Sequence, residues 1–232
     1  MIINLKNNLN FKMRKPVELD ISNIMKEKID RCWKEFIKDK EKYWNGDIFV
    51  VTNLDLNENI IEISKTQYSS LVYAKHNKDL ILKPLFAGIL LKTKDNKYII
   101  IKNNYNNINI IGGMADASDF LNSNFSPDSC IQREVLEEIG IDINNKSQML
   151  DYHMKYLKIQ TNSENYYTIG ILYTGILNFT SQEFKKYVNS NNFEGEIKEY
   201  YFYSAEECLK LKLTNGDISY LKELITIENK ID

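Results

Sequence analysis

Between Ser126 and Gly140 the apolar residues Ile131, Val135 and Ile139 recur every four positions, which places them on one helical stripe. Ser126-Pro127-Asp128 reads as the helix start: Ser as N-cap, Pro at the first helical position, Asp near the positive end of the dipole. Gly140 reads as the stop. The predicted helix runs from about Pro127 to about Ile139. A second stripe, Ile21, Ile24, Met25, Ile29, Cys32, Trp33, Phe36 and Ile37, predicts an amphipathic helix over about Ile21–Lys42. Elsewhere the apolar positions come in short runs. Leu85–Leu91 and Tyr98–Ile101 are joined by Lys94-Asp95-Asn96, a hairpin signal. Ile108–Ile111 predicts a short buried strand leading into Gly112-Gly113. Tyr166–Leu177 and Ile197–Tyr203 are strand-like. Ile48–Thr52 and Ile60–Ser64 read as strands around an Asn53–Asn59 loop, after a turn at Trp44-Asn45-Gly46-Asp47. Ser204-Ala205-Glu206-Glu207 starts a helix, and Asn215-Gly216-Asp217 marks a break before a final helix at about Ile218–Ile227. Strands and helices alternating in this way favour a layered α/β domain.

The polar face of the 127–139 helix carries the chemistry. Glu134, Glu137 and Glu138 stand at i, i+3 and i+4 and share one arc of surface. As ordinary surface that arc is unfavourable. Like charges at helical spacing cost roughly 0.2–0.5 kcal/mol each. Glu137 and Glu138 also lie in the last turn, where the dipole disfavours anions by roughly 0.3–1 kcal/mol. Arg133 can offset one of the charges through its i+4 neighbour Glu137. A bound divalent cation would reverse the sign of the whole cluster, and hard carboxylate oxygens suit Mg²⁺ or Mn²⁺. The plain alternative is a solvated acidic helix face. Against it, Arg-Glu-x-x-Glu-Glu-x-Gly arises by chance with a frequency on the order of 10⁻⁴ in a chain of this length.

The segment resembles the signature helix of the Nudix hydrolases, pyrophosphohydrolases that cleave nucleoside diphosphates linked to another group. That signature is a Gly, five residues, a Glu, seven residues, then Arg-Glu-apolar-x-Glu-Glu-x-Gly-apolar. Its second half matches at Arg133, Glu134, Val135, Glu137, Glu138, Gly140 and Ile141. The first half departs. Counting from Gly113, the acid is Asp119 and not Glu, and thirteen residues separate it from Arg133. A six-residue insertion around Leu121–Phe125, in the loop before the helix, accounts for the difference.

The resemblance implies an α/β/α sandwich around a mixed sheet, here with an N-terminal helix-plus-strands extension. It implies that Glu137, Glu138 and the Gly112 carbonyl bind Mg²⁺ or Mn²⁺, with Glu134 as general base or added ligand. Arg133 would orient the carboxylates, and Gly113 and Asp119 would lie against the substrate. A distant acid often completes such a cluster. Glu196 and Glu199, just ahead of a late strand, and Glu164, in a loop, are the candidates, with Glu196 favoured. The implied activity is metal-dependent hydrolysis of a nucleoside diphosphate linked to another moiety, such as a nucleotide-sugar or ADP-ribose. Two alternatives stay open: a non-catalytic, nucleotide-binding regulatory module, and an enzyme acting on capped RNA ends.

Composition narrows this reading. At 232 residues the chain can hold a catalytic domain from about Leu85 to residue 232 and an extension over residues 1–84. Lys42–His76 loosely resembles the region ahead of the catalytic domain in some sugar-nucleotide-acting Nudix proteins. The aromatic run Trp33, Phe36, Tyr43 and Trp44 reads as core or domain interface before it reads as a base-stacking platform. Net charge is −2, so there is no bulk pull toward nucleic acid, and a small nucleotide is the expected partner. A homodimer is compatible with this reading. Cys32, Cys130 and Cys208 are scattered and odd in number, as expected of reduced, cytoplasmic thiols. Cys130 reads as a packing residue, and His76 and His153 as lone polar histidines. The start, Met1-Ile2-Ile3-Asn4-Leu5-Lys6, lacks the apolar run of a signal peptide, and no stretch approaches the ~18 apolar residues of a membrane span.

Overall fold

The computed structural model describes residues 1–5, 12–13, 17–38, 44–58, 60–121, 124–163, 166–191, 197–214, 218 and 220–230. Ile2–Asn4 (β1), Lys12–Met13 (β2) and Val17–Glu18 (β3) precede a helix at Asn23–Ile37 (α1). Asp47–Asp55 (β4), Ile60–Gln67 (β5) and the helix Tyr68–His76 (α2) follow. Then come Leu85–Lys92 (β6), Tyr98–Asn103 (β7), Ile108–Asn109 (β8) and Ile111–Met114 (β9). After a 3₁₀ turn at Ala117–Asp119, the small hairpin Phe120–Leu121 (β10) and Asn124–Phe125 (β11) leads into the helix Pro127–Ile139 (α3). The chain continues with Met149–Ser163 (β12), Tyr166–Leu177 (β13), the helix Ser181–Ser190 (α4) and Ile197–Tyr203 (β14). It ends with helices at Ala205–Lys210 (α5) and Leu221–Glu228 (α6). No described helix is long and apolar enough to cross a membrane.

The main sheet runs β1-β12-β13-β6-β7-β14, with β8 on β7 and β9 on β6. β13 pairs β6 in parallel and the other pairings are antiparallel, so the sheet is mixed. Side-chain alternation along β6 divides its residues between two cores. Leu85, Ala87, Ile89 and Leu91 face α3 and α4, joining Ile131, Val135, Ile139, Phe184 and Val188. Leu90 faces the other way, with Cys208 of α5 and Leu221, Leu224 and Ile225 of α6. Helices thus cover both faces, and the architecture is an α/β/α sandwich. The α3 stripe is wholly buried: Ile131, Val135 and Ile139 are each 0% exposed. At roughly 1.5–3 kcal/mol per side chain, this burial dominates the fixing of the helix.

In a second sheet, β4 runs antiparallel to β5 while β2 and β3 pair β5 in parallel. Residues 1–84 share structure with the rest of the chain. β1 is a strand of the main sheet, registered Ile3 to Leu157, and Phe49, Val51, Ile61 and Ile63 belong to the same core as α3. Trp33 stacks on Phe36 with centroids 5.5 Å apart and meets Tyr68 edge-on at 6.3 Å, so these rings pack between α1 and the start of α2.

Several elements differ from the sequence reading, for physical reasons. α2 is absent from it because Ser69 to Ala74 are all buried, leaving no polar face to set a helical period. β12 is absent because register shifts between Met149 and Asp151 and between Met154 and Tyr156 break the two-residue alternation. α4 carried a readable signal, the Thr180-x-x-Glu183 capping box. The strand expected at Ile108–Ile111 divides at Ile110: β8 pairs β7 and β9 pairs β6. α6 starts at Leu221, since the Ile218 amide bonds the Ile108 carbonyl instead of opening a helix. α1 spans Asn23–Ile37, and residues 39–43 of the expected helix lie outside the described residues. The break expected at Asn215-Gly216-Asp217 also lies outside them.

Candidate active site

α3 has the bounds its sequence predicts. The Ser126 hydroxyl accepts from the Ser129 amide at 3.1 Å, and Gly140 takes the left-handed conformation, φ 65° and ψ 20°, that ends the helix. The acidic arc faces β9. A Cβ at Gly113 would overlap the Glu134 carboxylate, so the missing side chain is the seat on which that group rests. Gly112 has φ 141°, and a Cβ there would run into the Ala87 carbonyl and the Gly88 backbone of β6. Two adjacent glycines therefore serve different ends: Gly112 lets two strands approach, and Gly113 lets a helix side chain approach a strand.

Arg133 is the hub. Its Nε and Nη2 bond the two oxygens of Asp119 at 3.0 and 2.9 Å, a bidentate pair. Nη2 also donates to the Met114 carbonyl at 3.1 Å. Nη1 lies 2.7 Å from Glu134 Oε1 and 3.1 Å from Glu137 Oε2. Burial opposes the guanidinium charge, but the Asp119 hydrogen bonds and the Glu134 charge outweigh it and push the Arg133 pKa up. Asp119 is 1% exposed. Its Oδ2 also accepts from the Asp116 amide at 2.8 Å, closing a capping box on the 3₁₀ turn. Asp119 therefore sits beneath the arc, enclosed by Arg133 and its own turn. Nothing in the sequence hints at this pairing beyond the presence of an acid six residues after Gly113.

The three glutamates occupy different surroundings. Glu134 is 8% exposed, and burial raises its pKa to about 7 against the opposing pull of Arg133. Glu138 is half-buried, and its Oε2 accepts from the Gly112 amide at 3.1 Å. Glu137 is exposed and leans on Arg133. Among the described residues, no three His, Cys, Asp or Glu side chains converge into a group able to hold a metal as they stand. The donors are nonetheless all hard oxygens, and one of them is a buried carboxyl whose charge Arg133 offsets only in part. That set fits a hard divalent ion in its chemistry, although Glu137 would have to turn from Arg133, and Glu138 from the Gly112 amide, to reach one.

Of the distant acids, Glu196 and Glu164 lie outside the described residues. Glu199 bonds Lys102 at 3.3 Å and the Tyr201 hydroxyl at 2.7 Å, away from the arc. Cys130 is fully buried, and burial pushes its thiol pKa up, as suits a packing residue. His153 pairs with Asp151 at 2.7 Å on the exposed surface. Sequence reasoning also missed three tyrosines that bond α3: Tyr173, Tyr187 and Tyr200. With 15 tyrosines in the chain, no pattern singled them out.

No family model matches the chain, and neither does any curated protein. Solved structures do match in part. The NUDIX domain of Shewanella oneidensis NrtR, complexed with ADP ribose, matches with TM-score 0.48 and 10% identity over 69% of this chain and 97% of that one. The Escherichia coli dihydroneopterin triphosphate pyrophosphohydrolase gives 0.46 and 11% over 64% of this chain and 99% of that one. A Caenorhabditis elegans Ap4A hydrolase gives 0.45 and 12% over 64% and 96%.

Proposed function

We propose that the chain is a metal-dependent pyrophosphohydrolase that cleaves a nucleoside diphosphate linked to another moiety, of the nucleotide-sugar or ADP-ribose kind. The carrying observation is the seating of Glu134 against Gly113, with Arg133 anchored on buried Asp119. An acidic arc meant only for solvent needs neither a glycine cut to receive a carboxylate nor a buried partner for its arginine. In this reading Glu134, Glu137, Glu138 and the Gly112 carbonyl hold Mg²⁺ or Mn²⁺. The ion, when bound, neutralises the bridging phosphates and lowers the pKa of an attacking water. Glu134, buried beside Gly113, is the candidate general base or, failing that, the added ligand. Arg133 orients Glu134 and Glu137, and Asp119 fixes Arg133; Asp119 is thus a positioning residue, its oxygens being already engaged. Gly113 is kept as the candidate substrate contact and Glu196 as the candidate distant acid. Residues 85–232 would form the catalytic unit and residues 1–84 a supporting layer, in a cytoplasmic protein.

The test is a panel of nucleotide-sugars, ADP-ribose, dinucleoside polyphosphates, nucleoside triphosphates and capped RNA, assayed with Mg²⁺, Mn²⁺ or excess chelator. Hydrolysis of a phosphoanhydride that stops in chelator is expected. Tight nucleotide binding with no turnover under any metal would favour the regulatory module instead.

A further inference from the structure

α3 carries its acids at the wrong end. Glu137 and Glu138 lie in the last turn, where the helix dipole is negative and the final carbonyls have no partner within the helix. The last turn holds no basic residue, and the Gly140 amide bonds only the Leu136 carbonyl. Two phenols from outside the helix meet this deficit. Tyr200 of β14 donates to the Glu138 carbonyl at 3.2 Å, and Tyr187 of α4 donates to the Gly140 carbonyl at 2.7 Å. At the other end Tyr173 of β13, 1% exposed, donates to Asp128 Oδ1 at 2.5 Å. Three elements of the fold each send one hydroxyl to α3.

These hydroxyls have fixed positions. A tyrosine places its oxygen with only two side-chain torsions, and here the rings are packed. Tyr187 lies 5.5 Å from Phe179 and stacks on Phe184 at 6.1 Å, while Phe184 meets Tyr200 edge-on at 6.2 Å. The aromatic group between α4 and β14 is therefore a rigid mount for the two donors. Glu138 is held twice, by its carbonyl on Tyr200 and by its carboxylate on the Gly112 amide.

We propose that Tyr187 and Tyr200 are positioning residues that set the register of Glu137 and Glu138 against Gly112-Gly113, with Tyr173 anchoring the opposite end of α3. The inference rests on the functional reading above. In each Tyr→Phe variant the ring and its packing remain, and only the donor is lost. A hydrogen bond of ordinary net strength corresponds to an effect of about two- to tenfold. The site's acids need not unfold to feel it; a shift of the last turn is enough.

The experiment uses the full chain and Mn²⁺ alone as probe, with the free ion followed by electron paramagnetic resonance. Amide hydrogen exchange over residues 136–141 is followed in parallel. Tyr187→Phe/Tyr200→Phe should exchange faster in that segment and bind Mn²⁺ about tenfold more weakly than wild type. On any substrate found, it should lower kcat with KM little changed. Tyr73→Phe, which loses a phenol bond to Asp79 at 2.9 Å in the N-terminal layer, is the matched control and should leave Mn²⁺ affinity unchanged. Unchanged exchange in the double variant would overturn the clamp whatever the metal does. Faster exchange with wild-type Mn²⁺ affinity, or an equal loss in Tyr73→Phe, would reduce the phenols to general structural supports. A wild type that binds no Mn²⁺ would instead defeat the functional reading, and is told apart because the loss then precedes any mutation.

Discussion

Gly112 and Gly113 are neighbours, yet replacing each by Ala should have opposite consequences. At Gly113 the added methyl meets the far end of the Glu134 side chain. Glu134 can rotate away, losing its 2.7 Å pair with Arg133. A charge-assisted bond of this kind is worth roughly 1.5–3 kcal/mol. The carboxyl regains hydration on leaving, and its raised pKa shows that burial costs it free energy. The net loss in Gly113→Ala should be small, about 0–1.5 kcal/mol. Gly112→Ala differs because the obstacle is backbone. Its φ of 141° is strained for any side chain, costing about 1–3 kcal/mol. The methyl would also overlap the Ala87 carbonyl, which cannot withdraw without disturbing β6 between β9 and β13. A total above about 4 kcal/mol is expected, enough to unfold many domains. Urea unfolding and Mn²⁺ titration of both variants check this. Gly113→Ala should melt near wild type with Mn²⁺ affinity reduced at least tenfold, while Gly112→Ala should express poorly or unfold early. Equal destabilisation of the two, or full Mn²⁺ affinity in Gly113→Ala, would refute the assignment of Gly113 as the seat of Glu134.

Three further outcomes follow from the same geometry. Glu138→Gln keeps an acceptor for the Gly112 amide but loses a charge, so it should fold normally and lose roughly 10²-fold or more in kcat; activity within threefold of wild type would reject Glu138 as a ligand. Asp119→Ala strips Arg133 of its bidentate partner and should cost roughly 2–4 kcal/mol, less than a fully isolated pair because Glu134, Glu137 and the Met114 carbonyl remain; Asp119→Ala/Arg133→Met should recover part of that loss, and strict additivity in urea melts would show the two are not coupled. Lys158 is 2% exposed, and burial lowers its pKa to about 7 against the pull of Glu223, although its Nζ lies 3.5 Å from the Tyr220 ring centroid. Its folded pKa is below the unfolded value, so the unfolded chain binds more protons above about pH 7. This group therefore makes stability rise from about pH 7 toward pH 10, by at most about 1.4 kcal/mol per unit. Lys158→Met should flatten that rise and be the more stable protein near pH 7; an unchanged slope between urea melts at about pH 7 and about pH 9 would show that Lys158 stays charged.

What the sequence reveals here follows from the range of the interactions involved. α3 is legible to the residue because its determinants are local: a Ser N-cap, Pro127, a four-residue apolar repeat and Gly140. The glycine pair is legible as a motif, but its division of labour depends on Ala87 in one direction and Glu134 in the other. Asp119 could be found by counting from Gly113, yet its burial under Arg133 requires the chain to fold back across a hairpin. The tyrosines are invisible for a stronger reason. Tyr173, Tyr187 and Tyr200 reach α3 from 45, 47 and 62 residues away along the chain, and no periodicity encodes which phenol meets which carbonyl. Buried elements also hide, as α2 does, because uniform burial removes the contrast that pattern reading depends on.

The insertion before α3 shows how remote parts of the chain bear on the arc. In the sequence it reads as a loop ahead of the helix. In the fold its described residues are a hairpin whose rings turn inward. Phe120 lies 4.3 Å from Phe49 of β4 and 5.5 Å from Phe125, which is 5% exposed. Phe125 immediately precedes the N-cap Ser126, and Phe120 immediately follows Asp119. The hairpin thus joins two fixed points of the site, the helix start and the partner of Arg133, and braces both on the N-terminal layer. Changes at Phe49, Phe120 or Phe125 should accordingly act on the site through the placement of α3. At its other end α3 is held by α4 and β14, so the acids stand between two mounts drawn from opposite ends of the sequence. The charges of the arc are met by Arg133, while the helix that carries it is braced by uncharged groups: the phenols of Tyr187 and Tyr200 at its C-terminal end, and the phenol of Tyr173 with the rings of Phe120 and Phe125 at its start.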